Sequence, residues 1–208
     1  MSDSSIMPMF PLGSVLFPSM ILPLRIFEPR YRALARHCVD TETGFGVVLI
    51  ERGSEVGGGD VRSTLGCLAS VVQHEEQPDG QWFMVCVGTS RIRVLEWFDD
   101  DPYPRALVED WNDPEPPPDL AAQVSIIEQP FRTALALSAE LGGRSAPITI
   151  ELSEDPVLAT YQISALSPLG PLDRQHLLGA PDASTRVAML SAMLTDTLDD
   201  LRAQLGSS

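Results

Sequence analysis

The fold is decided by Phe10-Pro11-Leu12-Gly13, then Phe17-Pro18, then the continuous run Leu22-Pro23-Leu24-Arg25-Ile26-Phe27-Glu28-Pro29-Arg30-Tyr31-Arg32. Proline removes a backbone donor, so this stretch predicts short edge strands joined by stiff turns. The pattern changes at Pro29, because proline is tolerated in the first turn of a helix. Apolar residues then recur at helical spacing, namely Tyr31, Leu34, Ala35 and Cys38. We therefore expect a strand, a kinked crossover, a second strand and a helix ending near Asp40.

This opening resembles that of the Lon N-terminal domain, the substrate-binding module at the front of Lon proteases. Further matching pieces lie at residues 45–50, 65–69, 78–80, 88–94 and 172–178. The resemblance thus spans nearly the whole chain. It implies an α+β protein with a PUA-like pseudo-β-barrel of about six or seven strands and one short helix, followed by a C-terminal helical bundle. We expect a stand-alone copy of the module, without ATPase or protease domains.

The middle of the chain reads as strands. Apolar or alternating runs at 45–50, 65–74, 81–87, 90–97 and 103–111 have strand length, and the turn sequence Gln77-Pro78-Asp79-Gly80 predicts a long hairpin. The glycine-rich loop at 51–60 lacks a following Lys-Ser/Thr, so we interpret it as a flexible connection and not as a phosphate cradle. The adjacent acids Asp99-Asp100-Asp101 lack the alternate spacing of a calcium loop and predict a solvated turn.

A proline-rich run from Asn112 to Asp119 marks the clearest boundary. Such a run is stiff and extended, and beyond it the apolar period changes from two to 3.6. We therefore divide the chain into a β subdomain (1–113), a linker (114–119) and a helical subdomain (120–208). The predicted helices carry an apolar stripe from Leu120 to Leu135, start after Asp155 and Asp182, and include a short one at 171–178.

The charged residues exclude several functions. The net charge is −15, and all 14 basic residues are arginine. A strongly acidic chain repels phosphate backbones, so we expect no nucleic-acid partner. Without lysine there is neither a P-loop nor the serine–lysine pair of Lon-type proteolysis. We therefore predict that the chain is not an enzyme and that it has no catalytic residues.

No metal or cofactor site is expected either. The three cysteines have no CxxC spacing, and the three histidines are scattered singly. Buried, reduced thiols are the simplest interpretation of Cys38, Cys67 and Cys86. No apolar run approaches the roughly 18 residues that span a bilayer, and the N-terminus lacks the features of a signal peptide. We expect a soluble, acidic, cytoplasmic protein without membrane contact.

Binding is the function that remains. Apolar residues between prolines are unusual for a surface loop, and exposed apolar patches mark interaction sites. The candidate polypeptide-binding residues are Leu12, Phe17, Met20, Glu28, Arg30, Tyr31, Trp82 and Trp97. Each apolar member has an alternative role in the core. Glu28 has the alternative of accepting helix-terminal N–H groups and pairing locally with an arginine.

The resemblance implies contact with unfolded or degron-bearing polypeptides, or with a protease or chaperone, in protein quality control. The leading hypothesis is therefore a non-catalytic binding or adaptor protein, with a homodimer left open. A small-molecule-sensing module is the second hypothesis, because cereblon contains a modified form of this module. An uncharacterised hydrolase is the third. A shallow apolar groove with an open strand edge would favour the first hypothesis, and a pocket of convergent polar groups the second.

Overall fold

The structure, a computed structural model, describes residues 4–53 and 61–206. Most of the predicted glycine-rich connection at 51–60 lies outside these residues. The chain divides into two compact units, Met1–Asn112 and Asp113–Ser208. Within the described residues, every strand belongs to the first unit, and helices make up the regular structure of the second. The fold class is α+β, as predicted. The finer borders 1–113, 114–119 and 120–208, the PUA-like barrel and a separate C-terminal bundle stay predictions.

The first unit is built on a mixed six-stranded sheet. Its strand order is β2-β5-β4-β3-β1-β6, and β6 also pairs with β5. The β1–β3 pair is parallel and the other pairs are antiparallel. The elements of this unit are β1 (Ser4–Leu12), β2 (Ile21–Ile26), α1 (Pro29–Thr41), β3 (Phe45–Arg52), β4 (Val61–Glu76), β5 (Trp82–Trp97) and β6 (Arg105–Asp110).

The proline-rich opening forms a strand, a crossover, a second strand and a helix, as predicted. β2 is an edge strand as expected, but the same expectation is wrong for β1, which lies between β3 and β6 and pairs with both. Pro29 occupies the first turn of α1, where a missing N–H removes no helical hydrogen bond. The apolar face of α1 is buried as its spacing predicts, and the helix ends at Thr41. Phe10 of β1 stacks on Tyr31 of α1 with ring centroids 4.2 Å apart. This contact fixes α1 against the start of the sheet.

The second half of the predicted hairpin is longer than expected. We predicted separate strands at 81–87 and 90–97, but β5 runs from Trp82 to Trp97 without a break. Its first half pairs with β2 and its second half with β6, while β4 accompanies both halves through two register shifts. The two predicted runs leave out the segment 88–89, because glycine weakens a strand pattern. In the structure it is a point of close backbone packing.

The second unit contains four helices: α2 (Leu120–Glu140), α3 (Pro156–Leu166), α4 (Pro171–Leu178) and α5 (Ala183–Leu205). The predicted stripe of α2 is buried along its whole length. Asp155 and Asp182 cap α3 and α5 as predicted, because each carboxylate accepts backbone N–H groups of the first turn. Helical periodicity therefore located these elements correctly.

A buried ion pair lies inside this unit. The guanidinium of Arg186 is fully buried and donates to both carboxylate oxygens of Asp113, at 2.9 and 3.1 Å. It also lies over the ring of Tyr161, whose hydroxyl donates to Asp113 at 2.5 Å, and donates to the hydroxyl of Thr160 at 2.9 Å. This network connects the first residue of the unit to α3 and α5.

Candidate functional site

β2 is an edge strand with an open side. In the sheet formed by residues 4–53 and 61–110, β5 is its single neighbour. Pro23 faces Val85 in this antiparallel pair and has no N–H to donate. Antiparallel residues alternate between hydrogen-bonded and non-bonded pairs, so Ile21, Pro23 and Arg25 occupy the non-bonded positions. Their backbone polar groups therefore point away from β5, towards the open side.

Apolar side chains cover the outer face of this edge. Ile21 is 67% exposed, Val72 of β4 59% and Phe83 of β5 45%. We call the depression beside them the outer groove. Its volume is about 740 Å³, and its lining residues are Pro23, Leu24, Arg25, Val72, Gln73, His74, Glu75, Phe83, Met84 and Val85. It is an apolar groove on a sheet face, with polar groups confined to a few positions.

Arg25 brings positive charge to the outer groove. Its Nε donates to Oε1 of Gln81 at 3.1 Å, and its guanidinium carbon lies 5.8 Å from the centre of the Phe83 ring. Within the described part of the chain it has no carboxylate partner. An exposed arginine over an aromatic ring leaves its outer donors available to a ligand.

A second depression, the inner recess, lies on the other face of β2. Its volume is about 150 Å³, and its lining residues are Phe10, Leu12, Pro23, Leu24, Arg25, Ile26, Phe27, Glu28 and Tyr31. Leu12 and Tyr31 are buried, while Phe27 is 55% exposed. Pro23, Leu24 and Arg25 border both depressions. The open edge therefore has an apolar depression on each face.

Ion pairs surround the inner recess. Nε of Arg30 lies 3.2 Å from Oε2 of Glu28, and its Nη1 lies 3.7 Å from Asp100. Arg62 donates two hydrogen bonds to Asp100, at 2.6 and 3.0 Å. Glu28 makes no side-chain capping bond to α1, so of the two local roles considered for it, pairing with an arginine is found and capping is not.

The structure separates the predicted binding residues into groups. Leu12, Glu28 and Tyr31 meet at the inner recess, and Arg30 stacks over Tyr31 at 4.4 Å. Trp97 lies under the guanidinium of Arg62, 4.8 Å away, and is linked through Arg62 and Asp100 to Arg30. A series of contacts therefore links Glu28, Arg30 and Tyr31 to Trp97, and the role of these residues in binding stays a prediction.

The remaining predicted residues pack inwards. Phe17 is fully buried and Trp82 is 5% exposed, which is the core role left open for each. Met20 packs against the main core cluster. Neither Phe17 nor Met20 lines the outer groove or the inner recess. A surface built on these side chains would need the core to open.

Sequence reasoning missed the exposed apolar residues of the outer face, namely Ile21, Val72 and Phe83. Ile21 and Phe83 sit in strands whose alternation was visible, and alternation places one set of side chains on each face. If Leu22 and Leu24 face the core, Ile21 points to the opposite face of the strand and is exposed. The sequence pattern alone does not say which face is covered, because that depends on the partner strand and on α1. Val72 is exposed through a register shift in β4, between Val71 and Gln73.

The three cysteines are free and buried. Burial raises the pKa of Cys38 to about 11 and the pKa values of Cys67 and Cys86 to about 12. Among the described residues no group of three or more His, Cys, Asp or Glu side chains has the arrangement of a metal site. Nor does any helix there combine the length and apolar content that a bilayer span requires.

These thiols should be unreactive in the native protein. The thiolate is the nucleophile, so at about pH 8 a thiol with a pKa of 11 to 12 is almost entirely protonated. We expect no alkylation by iodoacetamide in buffer and alkylation of all three cysteines in urea, as measured by intact mass. One native adduct, located by peptide mapping, would contradict this prediction.

Comparison with known structures agrees with the architecture. A Lon N-terminal domain protein from Xanthomonas campestris superposes with a TM-score of 0.64 at 26% identity, covering 90% of this chain and 98% of that one. The N-terminal domain of the Lon protease of the Mycobacterium avium complex gives a TM-score of 0.66 at 17% identity, covering 92% and 99%. The second likeness is one of fold alone.

Comparison of sequences also finds similarity to Lon proteases. The Lon protease of Methylocella silvestris is 24% identical over 192 residues, which are 91% of this chain and 24% of that protein. Lon protease 2 of Sorangium cellulosum is 28% identical over an alignment of 213 positions, which covers 96% of this chain and 26% of that protein. The chain spans about a quarter of the length of these relatives. Residues 6–196 match the family described as the substrate-binding domain of ATP-dependent protease La (LON), and the chain belongs to this family.

Proposed function

We propose that the chain is a non-catalytic polypeptide-recognition module that holds unfolded or degron-bearing segments at the outer groove. The observation that supports this is an open edge strand with exposed apolar side chains beside it. Contiguous exposed apolar surface marks binding sites, and extended peptides bind at sheet edges. The family name, a substrate-binding domain, is consistent with this function.

The proposal assigns no proteolysis to the chain. Its relatives are about four times longer, and the matching quarter is the substrate-binding domain. The absence of lysine from this sequence removes the residue on which both a P-loop and a serine–lysine dyad depend. In this proposal the bound polypeptide passes to a protease or chaperone in cytoplasmic quality control.

Two finer features of the fold belong to the same proposal. β6 pairs with β1 on one side and β5 on the other, which supports a closed, PUA-like pseudo-barrel. The four helices after residue 112 support a helical subdomain. We propose that the barrel presents β2 and that the helical subdomain carries a separate role.

The test is a charge introduced into the outer groove. We expect Phe83→Asp to weaken binding of fluorescently labelled, reduced and carboxymethylated lactalbumin at least tenfold, measured by fluorescence anisotropy. Burial of a phenylalanine contributes about 1.5–3 kcal/mol, which corresponds to tenfold or more in affinity. Val72→Asp should act in the same direction. Phe83 is 45% exposed, so the substitution leaves the core intact.

The matched control is Ile126→Asp. Ile126 is a 73% exposed apolar residue of α2, in the second unit. It should leave the affinity within about twofold of the wild type, since surface substitutions away from a site change little. Equal losses in both variants would indicate non-specific attraction and contradict the groove. Phe17→Asp is unsuitable, because a charge at a fully buried site tests folding.

A further inference from the structure

We infer that the polypeptide binds by strand addition to the open side of β2, with its side chains placed alternately in the outer groove and the inner recess. The bound segment is an extended chain with apolar residues at alternate positions and a carboxylate opposite Arg25. This inference rests on the proposed function and deepens it, because it specifies the backbone conformation and the sequence pattern of the ligand.

The backbone of β2 offers hydrogen-bonding groups to an added strand. Ile21, Pro23 and Arg25 direct their carbonyl groups to the open side, and Ile21 and Arg25 also direct N–H groups there. The spacing of these residues is that of alternate positions in one strand. An added strand can therefore accept and donate hydrogen bonds in register. Pro23 has no N–H, so an added strand receives no backbone hydrogen bond from this residue. A suitable ligand is one that needs no donor at that position.

The two depressions lie beside the same part of the open edge. Pro23, Leu24 and Arg25 border both of them, so both lie beside the same three residues of the edge. Successive side chains of an extended segment point to opposite faces of the sheet. One set of side chains would lie at the β2 side of the outer groove, whose whole volume is about 740 Å³, and the other set would enter the inner recess of about 150 Å³.

These volumes predict a size rule. An apolar cavity of about 150 Å³ accommodates one benzene molecule, so the inner recess takes one side chain of about the size of valine or leucine. The outer groove is several times larger and takes larger or successive apolar side chains. The alternation of a small and a large apolar position is therefore part of the proposed ligand.

Positive charge near β2 favours a ligand that carries a carboxylate. The chain carries a net charge of −15, yet four of its 14 arginines fall between residues 25 and 36. Within the described residues, Arg25 and Arg32 pair with no carboxylate. A ligand carboxylate is the complementary group, because arginine binds carboxylates through two parallel hydrogen bonds. A second copy of this acidic chain is the less suitable occupant.

Glu75 is the carboxylate that lines the outer groove, and it does not cancel this charge. Arg25 is paired with Phe83, and Phe83 with Glu75, in one row across β2, β5 and β4. Strands lie about 4.8 Å apart, so a strand added to β2 would meet Arg25 first and lie roughly 14 Å from the row position of Glu75. The positive charge is therefore nearer to the ligand.

The experiment uses a fluorescein-labelled peptide, Leu-Val-Leu-Val-Glu-Val, with its C-terminus amidated. Each backbone amide is N-methylated in turn, and binding to the full chain is measured by anisotropy. Methylation of the amides that face β2 should weaken binding at least tenfold, since it removes a donor and adds a methyl group at the contact. The alternate amides should stay within about twofold of the parent. The expected result is thus an effect with a period of two.

Two further arms test the edge and the charge. Ile21→Pro removes one donor from the open side at the first residue of β2, where proline is tolerated, and should weaken binding about fivefold or more, with Ile21→Val as the matched control. Exchanging the glutamate of the peptide for lysine should weaken its binding to the wild-type protein by about fivefold. The same exchange should not weaken its binding to the Arg25→Gln variant. If Ile21→Pro fails to fold, the binding of the N-methylated peptides to the wild-type protein still tests strand addition.

Each failure has a separate meaning. If the peptide binds, Phe83→Asp abolishes binding and N-methylation shows no alternation, strand addition is wrong and the proposed function stands. If neither the peptide nor unfolded lactalbumin binds, the proposed function is wrong, and the inference falls with it. If the protein sediments as a dimer that Ile21→Pro converts to a monomer, the edge pairs with a second copy, which overturns the inference.

Discussion

The Arg186→Met variant is expected to lose about 3–5 kcal/mol of stability in the second unit. Arg186 is fully buried, and its partner Asp113 has a side chain only 6% exposed. Removing one partner of a buried ion pair leaves the other charge in a low dielectric with too few donors, which costs about this much. In the variant the hydroxyl of Tyr161 could still donate to Asp113, but the two hydrogen bonds from the guanidinium would be lost.

The measurement is urea unfolding followed by circular dichroism at 222 nm, which reports mainly on the helices. All three tryptophans, Trp82, Trp97 and Trp111, belong to the first unit, so their fluorescence follows the other part of the chain. With a slope of about 1–3 kcal/mol per molar urea, the dichroism midpoint should fall by at least about 1 M. A fall of less than about 0.3 M would contradict the prediction.

Two controls separate burial from charge. Arg202→Met removes an arginine whose side chain is 59% exposed and which pairs with Asp199, so it should change stability by less than about 0.5 kcal/mol. The double variant Arg186→Met with Asp113→Leu removes both buried charges. It should recover part of the loss, because replacing a buried pair by apolar side chains is often close to neutral.

Local constraints made the opening of the chain predictable. Prolines fix φ and remove donors within their own residues, so strand, crossover, strand and helix could be placed from residues 10–32 without knowing their partners. Helical stripes and caps are equally local, which is why α2, α3 and α5 were located correctly. The family resemblance supplied the arrangement of these elements.

Tertiary contacts made the site less predictable. The apolar residues between the prolines attracted attention as a surface, but Phe17 and Leu12 are buried by elements distant in sequence. Ile21 and Phe83 look like ordinary strand residues and are exposed because β2 is the edge of the sheet. Sheet order depends on pairing between distant segments, and a single sequence does not specify it.

The need for a glycine at position 88, inside the continuous strand β5, also comes from tertiary contacts. A Cβ atom at Gly88 would lie 2.2 Å from the carbonyl oxygen of Phe17 and 3.0 Å from Sγ of Cys67. The crossover between β1 and β2 also bonds to this residue: Ser19 N–H donates to its carbonyl at 2.8 Å, and its own N–H donates to Met20 at 2.9 Å. The glycine is required for space inside a continuous strand.

Gly88→Ala is therefore expected to destabilise the first unit by about 3 kcal/mol, at the upper end of what overpacking costs. Phe17 cannot yield easily, because its side chain is fully buried and its carbonyl is part of the main chain. The measurement is urea unfolding followed by tryptophan fluorescence. Thr89→Val, at the exposed neighbouring position, is the matched control and should cost less than about 1 kcal/mol.

The same variant tests how the edge strand is held. The crossover that Gly88 anchors leads directly into β2, so displacing it should move Ile21 and Pro23 relative to β5. At a temperature where both proteins are folded, Gly88→Ala should bind labelled unfolded lactalbumin more weakly than Thr89→Val does. If Gly88→Ala keeps wild-type stability and affinity, the backbone at Phe17 can adjust by more than its burial suggests. In that case the position of β2 depends on its pairing with β5 and not on the crossover.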